Sequence, residues 1–154
     1  MRWHNLMPPM IDAADHTSLA HSEPTDIAGQ GRVLIVDDEE VFAGSLQRLL
    51  SSEHEVTVLT SGHAALDRLR GGEQFDAIVC DLLMPRTSGF DLHTELRRIA
   101  PEQAERIIFL TGGVVSLRAQ QFLEKVTNRW FEKPCNLQEL RAAVRQQIAR
   151  SRAM

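Results

Sequence analysis

Cysteine is scarce in this chain of 154 residues, which contains only Cys80 and Cys135. Their positions give neither a metal-ligand spacing nor a disulfide framework, which argues against a zinc module or a disulfide-stabilised secreted domain. No uninterrupted apolar run approaches the roughly 18 residues that span a bilayer. The N-terminal stretch also lacks the apolar segment of a secretory signal. These absences predict a cytoplasmic protein without membrane contact.

A large charge of either sign is also missing, because the formal net charge is only -4. Most of that charge lies in residues 1–31, where four acidic residues face one arginine. The rest of the chain is therefore nearly neutral. This balance gives no general electrostatic attraction to nucleic acid, so we expect no direct nucleic-acid binding.

Residues 1–30 mix polar residues with proline and glycine and show no periodicity, which predicts a disordered tail or linker. From Arg32 onward, short β-branched runs alternate with amphipathic stretches. The chain length suits a single domain, which we place over residues 31–150. The last helix is expected to end near Arg150, leaving residues 151–154 as a short C-terminal tail.

Five apolar runs predict strands, over residues 32–36, 55–59, 75–80, 106–110 and 129–131. Five stretches with apolar residues three and four apart predict helices between and after them. The fifth is best marked, since Asn136 is an N-cap candidate and Glu139 follows three residues later. Strands alternating with helices indicate an α/β fold with a doubly wound parallel sheet.

Polar residues follow four of these strands, at the edge where ligands bind in such folds. Each has an ordinary explanation when taken alone: acids in the first turn of a helix, turn residues, a flexible loop or a solvated lysine. Four strand ends acquiring suitable residues by accident is much less plausible. The candidates are Asp37, Asp38, Asp81, Thr111 and Lys133.

Four motifs occur here in order: VDDE (36–39), DLLMP (81–85), TGG (111–113) and EKP (132–134). Together they resemble the receiver domain of two-component response regulators, and the resemblance covers about residues 31–150. It implies a five-stranded sheet of order 2-1-3-4-5 in a flavodoxin-like three-layer sandwich with five helices. Any one of the motifs alone would be a weak signal.

The resemblance implies that Asp81 accepts a phosphoryl group from a histidine kinase or a histidine phosphotransfer protein. It further implies a Mg²⁺ ion bound by Asp38, Asp81 and the backbone carbonyl of Leu83, with Asp37 acting mostly through water. A hard cation suits these oxygen ligands and would offset the negative charge that phosphate adds. Glu39 and Glu40 are assigned only to the start of the following helix.

Other residues would hold and sense the phosphate. By resemblance, Lys133 contacts the phosphoryl oxygens, Thr111 donates a hydroxyl hydrogen bond, and a cis peptide precedes Pro134. Thr111 and Trp130 would form the switch, although Tyr or Phe is the more familiar aromatic at this position. The signalling surface would comprise the fourth predicted helix, the fifth strand and the fifth helix. A phosphorylation-dependent homodimer is a further expectation.

The lifetime of the phosphate is predicted to be long. The positions that often orient or exclude the attacking water are Leu83 and Gly113 here, and neither side chain can hydrogen-bond water. We therefore expect slow autodephosphorylation, from a signalling module that is not itself an enzyme.

Two other functions stay open at this point. A pseudo-receiver would bind partners without phosphate, although the complete set of polar residues argues against it. A phosphatase with an Asp nucleophile would place one residue between the two acids after the first strand, whereas Asp37 and Asp38 are adjacent. Finally, residues 109–126 and 131–148 look like the receivers that close hybrid histidine kinases, which would make residues 1–30 a linker to a kinase.

Overall fold

The computed structural model describes residues 30–112 and 116–153. Within them, five strands and six helices follow one another along the chain. The strands are β1 (Arg32–Val36), β2 (Glu55–Leu59), β3 (Ala77–Asp81), β4 (Ile107–Thr111) and β5 (Trp130–Glu132). The helices are α1 (Glu40–Ser51), α2 (Gly62–Arg70), α3 (Gly89–Ile99), α4 (Pro101–Glu105), α5 (Leu117–Lys125) and α6 (Leu137–Ala153).

The strands form one parallel sheet of order β2-β1-β3-β4-β5, which confirms the predicted topology. β3 and β4 are buried along their whole length. Burial on both faces explains why these strands are continuous apolar runs rather than alternating ones. α1 and α6 cover one face of the sheet, and α2, α3 and α5 cover the other, as expected for a three-layer sandwich.

The side chains of each strand divide between two cores. Leu34 and Val36 of β1 join the core beneath α2, α3 and α5, whereas Val33 and Ile35 join the core beneath α1 and α6. This alternation follows from the two-residue period of a strand. Every side chain of β1 after Arg32 is therefore buried.

The predicted number of helices is too low by one, because a short helix, α4, follows α3. α3 ends at Ile99 as expected, but Pro101 then begins a new turn, a position that suits its fixed φ and missing N–H group. The buried Gln103 side chain holds this turn by bonding both backbone groups of Phe75, at 3.0 and 3.2 Å. Because the backbone groups of Phe75 bond to Gln103, Phe75 does not pair with a neighbouring strand, and β3 begins at Ala77.

The predicted C-terminal tail is wrong for residues 151–153, which continue α6. Asp76 explains the extension, because its Oδ1 accepts a hydrogen bond from Ser151 Oγ at 3.2 Å. Its Oδ2 lies 3.4 Å from the guanidinium of Arg152. The N-cap prediction for α6 is confirmed, since Asn136 Oδ1 accepts from the backbone N–H groups of Gln138 and Glu139.

The predicted tail over residues 1–30 lies outside the described residues except at Gln30, and it stays a prediction. In the part of the chain that the structure describes, every helix is too short or too polar to cross a membrane.

Candidate functional site

The register of the sheet brings the ends of four strands together. Val36 of β1 pairs with Cys80 of β3, so Asp37 and Asp81 come next along two neighbouring strands. Thr111 of β4 pairs with Glu132 of β5, and Lys133 follows immediately. Because all these strands run in parallel, their carboxyl ends share one edge of the sheet. The predicted site residues therefore meet at one place.

Three carboxylates form the acidic part of this site. Asp37, Asp38 and Asp81 each offer an oxygen, and these oxygens lie within 4.8 Å of one another. Asp37 and Asp81 are buried, whereas Asp38 is exposed. Clustered carboxylate oxygens are the donor set that a hard divalent cation takes. The three residues thus fit the Mg²⁺ site that the sequence predicts.

Leu83 lies beside this acidic cluster. Its backbone N–H donates a long hydrogen bond of 3.4 Å to Asp81 Oδ1, and its side chain is exposed. The part of its carbonyl in binding a metal stays a prediction.

Lys133 supplies the positive charge of the site. Its Nζ donates to Asp37 Oδ2 at 2.8 Å and lies 3.5 Å from Asp81 Oδ2. The backbone N–H of Lys133 donates to the carbonyl of Thr111 at 2.7 Å, which continues the pairing of β4 and β5. The peptide between Lys133 and Pro134 is cis, as predicted. The side chain of Lys133 is only 13% exposed, so most of it is removed from water.

Glu39 is the site residue that the sequence prediction missed. It was assigned only to the helix that follows, yet its Oε1 accepts a hydrogen bond from Lys133 Nζ at 2.5 Å. Glu39 is the N-cap of α1 but makes no side-chain cap bond there. Helix-dipole reasoning could not reveal this contact, since the partner lies 94 positions away in the sequence.

Burial, neighbouring charges and hydrogen bonds together raise the pKa values of both Asp81 and Lys133. Burial, and then the negative charge of Asp37, raise the pKa of Asp81 to about 6, although Lys133 opposes both. Burial lowers the pKa of Lys133, but hydrogen bonds to Asp37 and Glu39 outweigh it and raise the pKa overall. One lysine therefore does not balance the carboxylates, which favours a further cation in this pocket.

The two predicted switch residues lie on neighbouring strands. Thr111 is fully buried, and its hydroxyl donates to the carbonyl of Gly112 at 3.3 Å. Trp130 pairs with Phe109, two residues before Thr111 on β4, and is 45% exposed. Gly113, predicted to influence hydrolysis, lies outside the described residues.

Comparison with known proteins assigns a family to this arrangement. The family model described as the response regulator receiver domain matches residues 33–145. The chain is also similar to the sensor kinase CckA of Brucella abortus, with 31% identity over 93% of this chain. It is 32% identical, over 74% of its length, to the transcriptional regulatory protein TcrA of Mycobacterium tuberculosis.

The matched region is a small part of these relatives, covering 16% of the sensor kinase and 44% of the regulatory protein. Among solved structures, the chain is similar to a response regulator receiver domain protein from Clostridium thermocellum, with a TM-score of 0.69 and 27% identity. That likeness covers 79% of this chain and 97% of the other.

Proposed function

The chain belongs to the response regulator receiver family, and we propose that its Asp81 accepts a phosphoryl group from a phosphohistidine. The donor would be a histidine kinase or a histidine phosphotransfer protein. The observation that carries this proposal is the meeting of three carboxylates and Lys133 at one edge of the sheet. In the transfer, an Asp81 oxygen would form a bond to phosphorus while the bond from phosphorus to the imidazole nitrogen breaks.

Hydrogen bonding favours Asp81 over its neighbour as the acceptor. Both carboxylate oxygens of Asp37 are engaged, Oδ1 by the backbone N–H of Glu39 at 2.9 Å and Oδ2 by Lys133. Within residues 30–112 and 116–153, the carboxylate of Asp81 receives the long bond from Leu83 and the more distant Lys133 ammonium and no other polar contact. Its oxygens are therefore the freer of the two to attack phosphorus.

We also propose that Asp37, Asp38, Asp81 and the carbonyl of Leu83 hold a Mg²⁺ ion. When bound, such an ion would offset the negative charge of the pocket and attract the phosphoryl oxygens. Lys133 already lies 3.5 Å from Asp81 and would donate to a phosphoryl oxygen. The Thr111 hydroxyl, whose bond to Gly112 is long, would supply a second donor.

The output is proposed to be a change at the surface of α5, β5 and α6, where Trp130 is exposed. Two of the similar proteins are named as a sensor kinase and a transcriptional regulator, and a receiver in either would act on other parts of its own chain or on a partner. The likeness to a sensor kinase supports the further proposal that this receiver accompanies a kinase.

The test is to treat the protein with acetyl phosphate and Mg²⁺ and weigh the intact chain. We expect the wild type to gain one phosphoryl group and Asp81→Asn to gain none, because the amide is not a nucleophile. Asp76→Asn is the matched control, since Asp76 lies just before the opposite end of β3 and should leave phosphorylation unchanged. Omitting Mg²⁺ should prevent the mass gain. A wild type that gains no mass would favour the pseudo-receiver instead.

A further inference from the structure

The ammonium group of Lys133 is held by the beginning of α1. Glu39 Oε1 lies 2.5 Å from Nζ and Asp37 Oδ2 lies 2.8 Å from it. The ring of Phe42 covers another side, with its centroid 4.5 Å from Nζ. Asp81 Oδ2 is the most distant oxygen of the group at 3.5 Å. Lys133 therefore rests on the segment that leads from β1 into α1 rather than on the proposed phosphoacceptor.

Glu39 differs from Asp37 in how firmly it is fixed. Asp37 is fully buried and bonded at both oxygens, whereas the Glu39 side chain is 64% exposed and bonds only Lys133 among the described residues. An exposed carboxylate loses little when it returns to water. Glu39 is thus the contact of Lys133 that can be given up most readily.

We propose that Glu39 is a positioning residue that retains the Lys133 ammonium on α1 and competes with the phosphoryl group for it. This inference rests on the proposed function, because the competing group is the phosphate on Asp81. The competition is one of distance, because Nζ lies 2.5 Å from Glu39 and 2.8 Å from Asp37 but 3.5 Å from Asp81. Movement of Nζ toward a phosphate on Asp81 would lengthen its short contact with Glu39, and the loss of that contact opposes phosphorylation.

Glu39→Gln tests the competition because the amide keeps the size of the side chain and removes its charge. We expect acetyl phosphate and Mg²⁺ to phosphorylate this variant about twofold to fivefold faster than the wild type, a range that suits a partly exposed ion pair. Glu40→Gln is the matched control, since Glu40 is the exposed neighbour in the same turn of α1. The control should react at the wild-type rate.

Two results of this kinetic experiment would overturn the inference. One is a Glu39→Gln variant that reacts at the wild-type rate or more slowly. The other is an equal acceleration in Glu40→Gln, which would mean that any lost charge near the site attracts the anionic donor. In a Lys133→Met background, Glu39→Gln should have no further effect on the rate.

The contact itself can be tested without phosphate or metal. Urea unfolding midpoints are measured for the wild type, Glu39→Gln, Lys133→Met and the double variant. We expect Glu39→Gln to lower the midpoint in the wild type and to lower it less once Lys133 is absent. Additive midpoints would contradict the pairing whether or not the protein is phosphorylated. Failure of the proposed function appears differently, as a wild type without an Asp81-dependent mass gain.

Discussion

Gly89 fixes the distance between α3 and the phosphoacceptor strand. A Cβ at this position would lie 2.7 Å from the carbonyl oxygen of Asp81 and 2.9 Å from the Cα of Leu82. Both atoms belong to the backbone, so they cannot move away as the end of a flexible side chain could. The glycine therefore lets the start of α3 pack directly on the peptide of Asp81.

We predict that Gly89→Ala destabilises the protein by about 1–3 kcal/mol, the usual cost of forcing extra atoms into packed structure. Gly44→Ala is the control, because the added Cβ there would meet only the Arg48 side chain at 3.8 Å. Alanine in the middle of α1 should stabilise by about 0.5–1 kcal/mol. Urea unfolding of both variants measures the difference, and equal stabilities would contradict this account of Gly89.

At the residue scale, the sequence predicted which side chains meet but not how they bond. Asp37, Asp38, Asp81, Thr111 and Lys133 were identified because each directly follows a recognisable strand. Glu39 was not, because an acid in a first helical turn has a sufficient local explanation. Its partner is set by the register of β4 and β5, which carries Lys133 to the same edge as β1. A local sequence pattern does not show which residue from a distant strand will contact Glu39.

At the element scale, Glu53 joins the end of α1 to α6. Its Oε2 lies 2.5 Å from the guanidinium nitrogens of both Arg141 and Arg145, and its Oε1 accepts from Arg145 Nε at 3.1 Å. These hydrogen bonds, led by that from Arg145, outweigh burial and lower the pKa of Glu53 to about 2. Because the carboxyl group is 27% exposed, water weakens the ion pairs.

The lowered pKa of Glu53 predicts how stability depends on pH. A carboxyl group whose pKa is lower in the folded state stabilises the fold above its unfolded pKa, and this stabilisation is lost as pH falls toward the folded pKa. For Glu53 the window runs from about pH 4.5 down to about pH 2. We expect Glu53→Gln to cost about 1–2 kcal/mol at pH 7 and progressively less as the pH falls below 4.5.

Urea unfolding at pH 7, 4 and 3 measures this effect. Glu55→Gln is the control, since Glu55 is 68% exposed and lies 3.6 Å from Arg32 Nε, too far for a hydrogen bond. That variant should change stability by less than about 0.5 kcal/mol. A Glu53→Gln deficit that stays constant from pH 7 to pH 3 would contradict the ionic explanation.

Element boundaries were predictable only where local signals set them. The cap at Asn136 was visible in sequence, and so was the end of α3 before Pro101. The helix α4 depends on the contact between Gln103 and Phe75, 28 positions apart, and the last turn of α6 depends on Asp76. Such long-range hydrogen bonds extend or create short helices that periodicity alone does not reveal.

At the scale of the whole molecule, the site and the proposed output surface share one strand pair. Trp130 pairs with Phe109, and Thr111 follows two residues later on the same strand. The ring of Phe109 also contacts Phe122 of α5, with their centroids 5.3 Å apart. A movement of Thr111 toward a phosphate on Asp81 would therefore act on β5 and on α5 together.

We predict that phosphorylation reduces the exposure of Trp130, because its indole would turn into the space that Thr111 would leave. The chain has two tryptophans, so a Trp3→Phe background makes Trp130 the only indole. Acrylamide quenching of its fluorescence should weaken after treatment with acetyl phosphate and Mg²⁺, and should stay constant in the same background carrying Asp81→Asn.

Light scattering on these samples separates the two causes of burial: a monomer mass indicates an internal rotation, and a doubled mass indicates the predicted homodimer. Quenching that does not change on phosphorylation would contradict Trp130 as a switch residue.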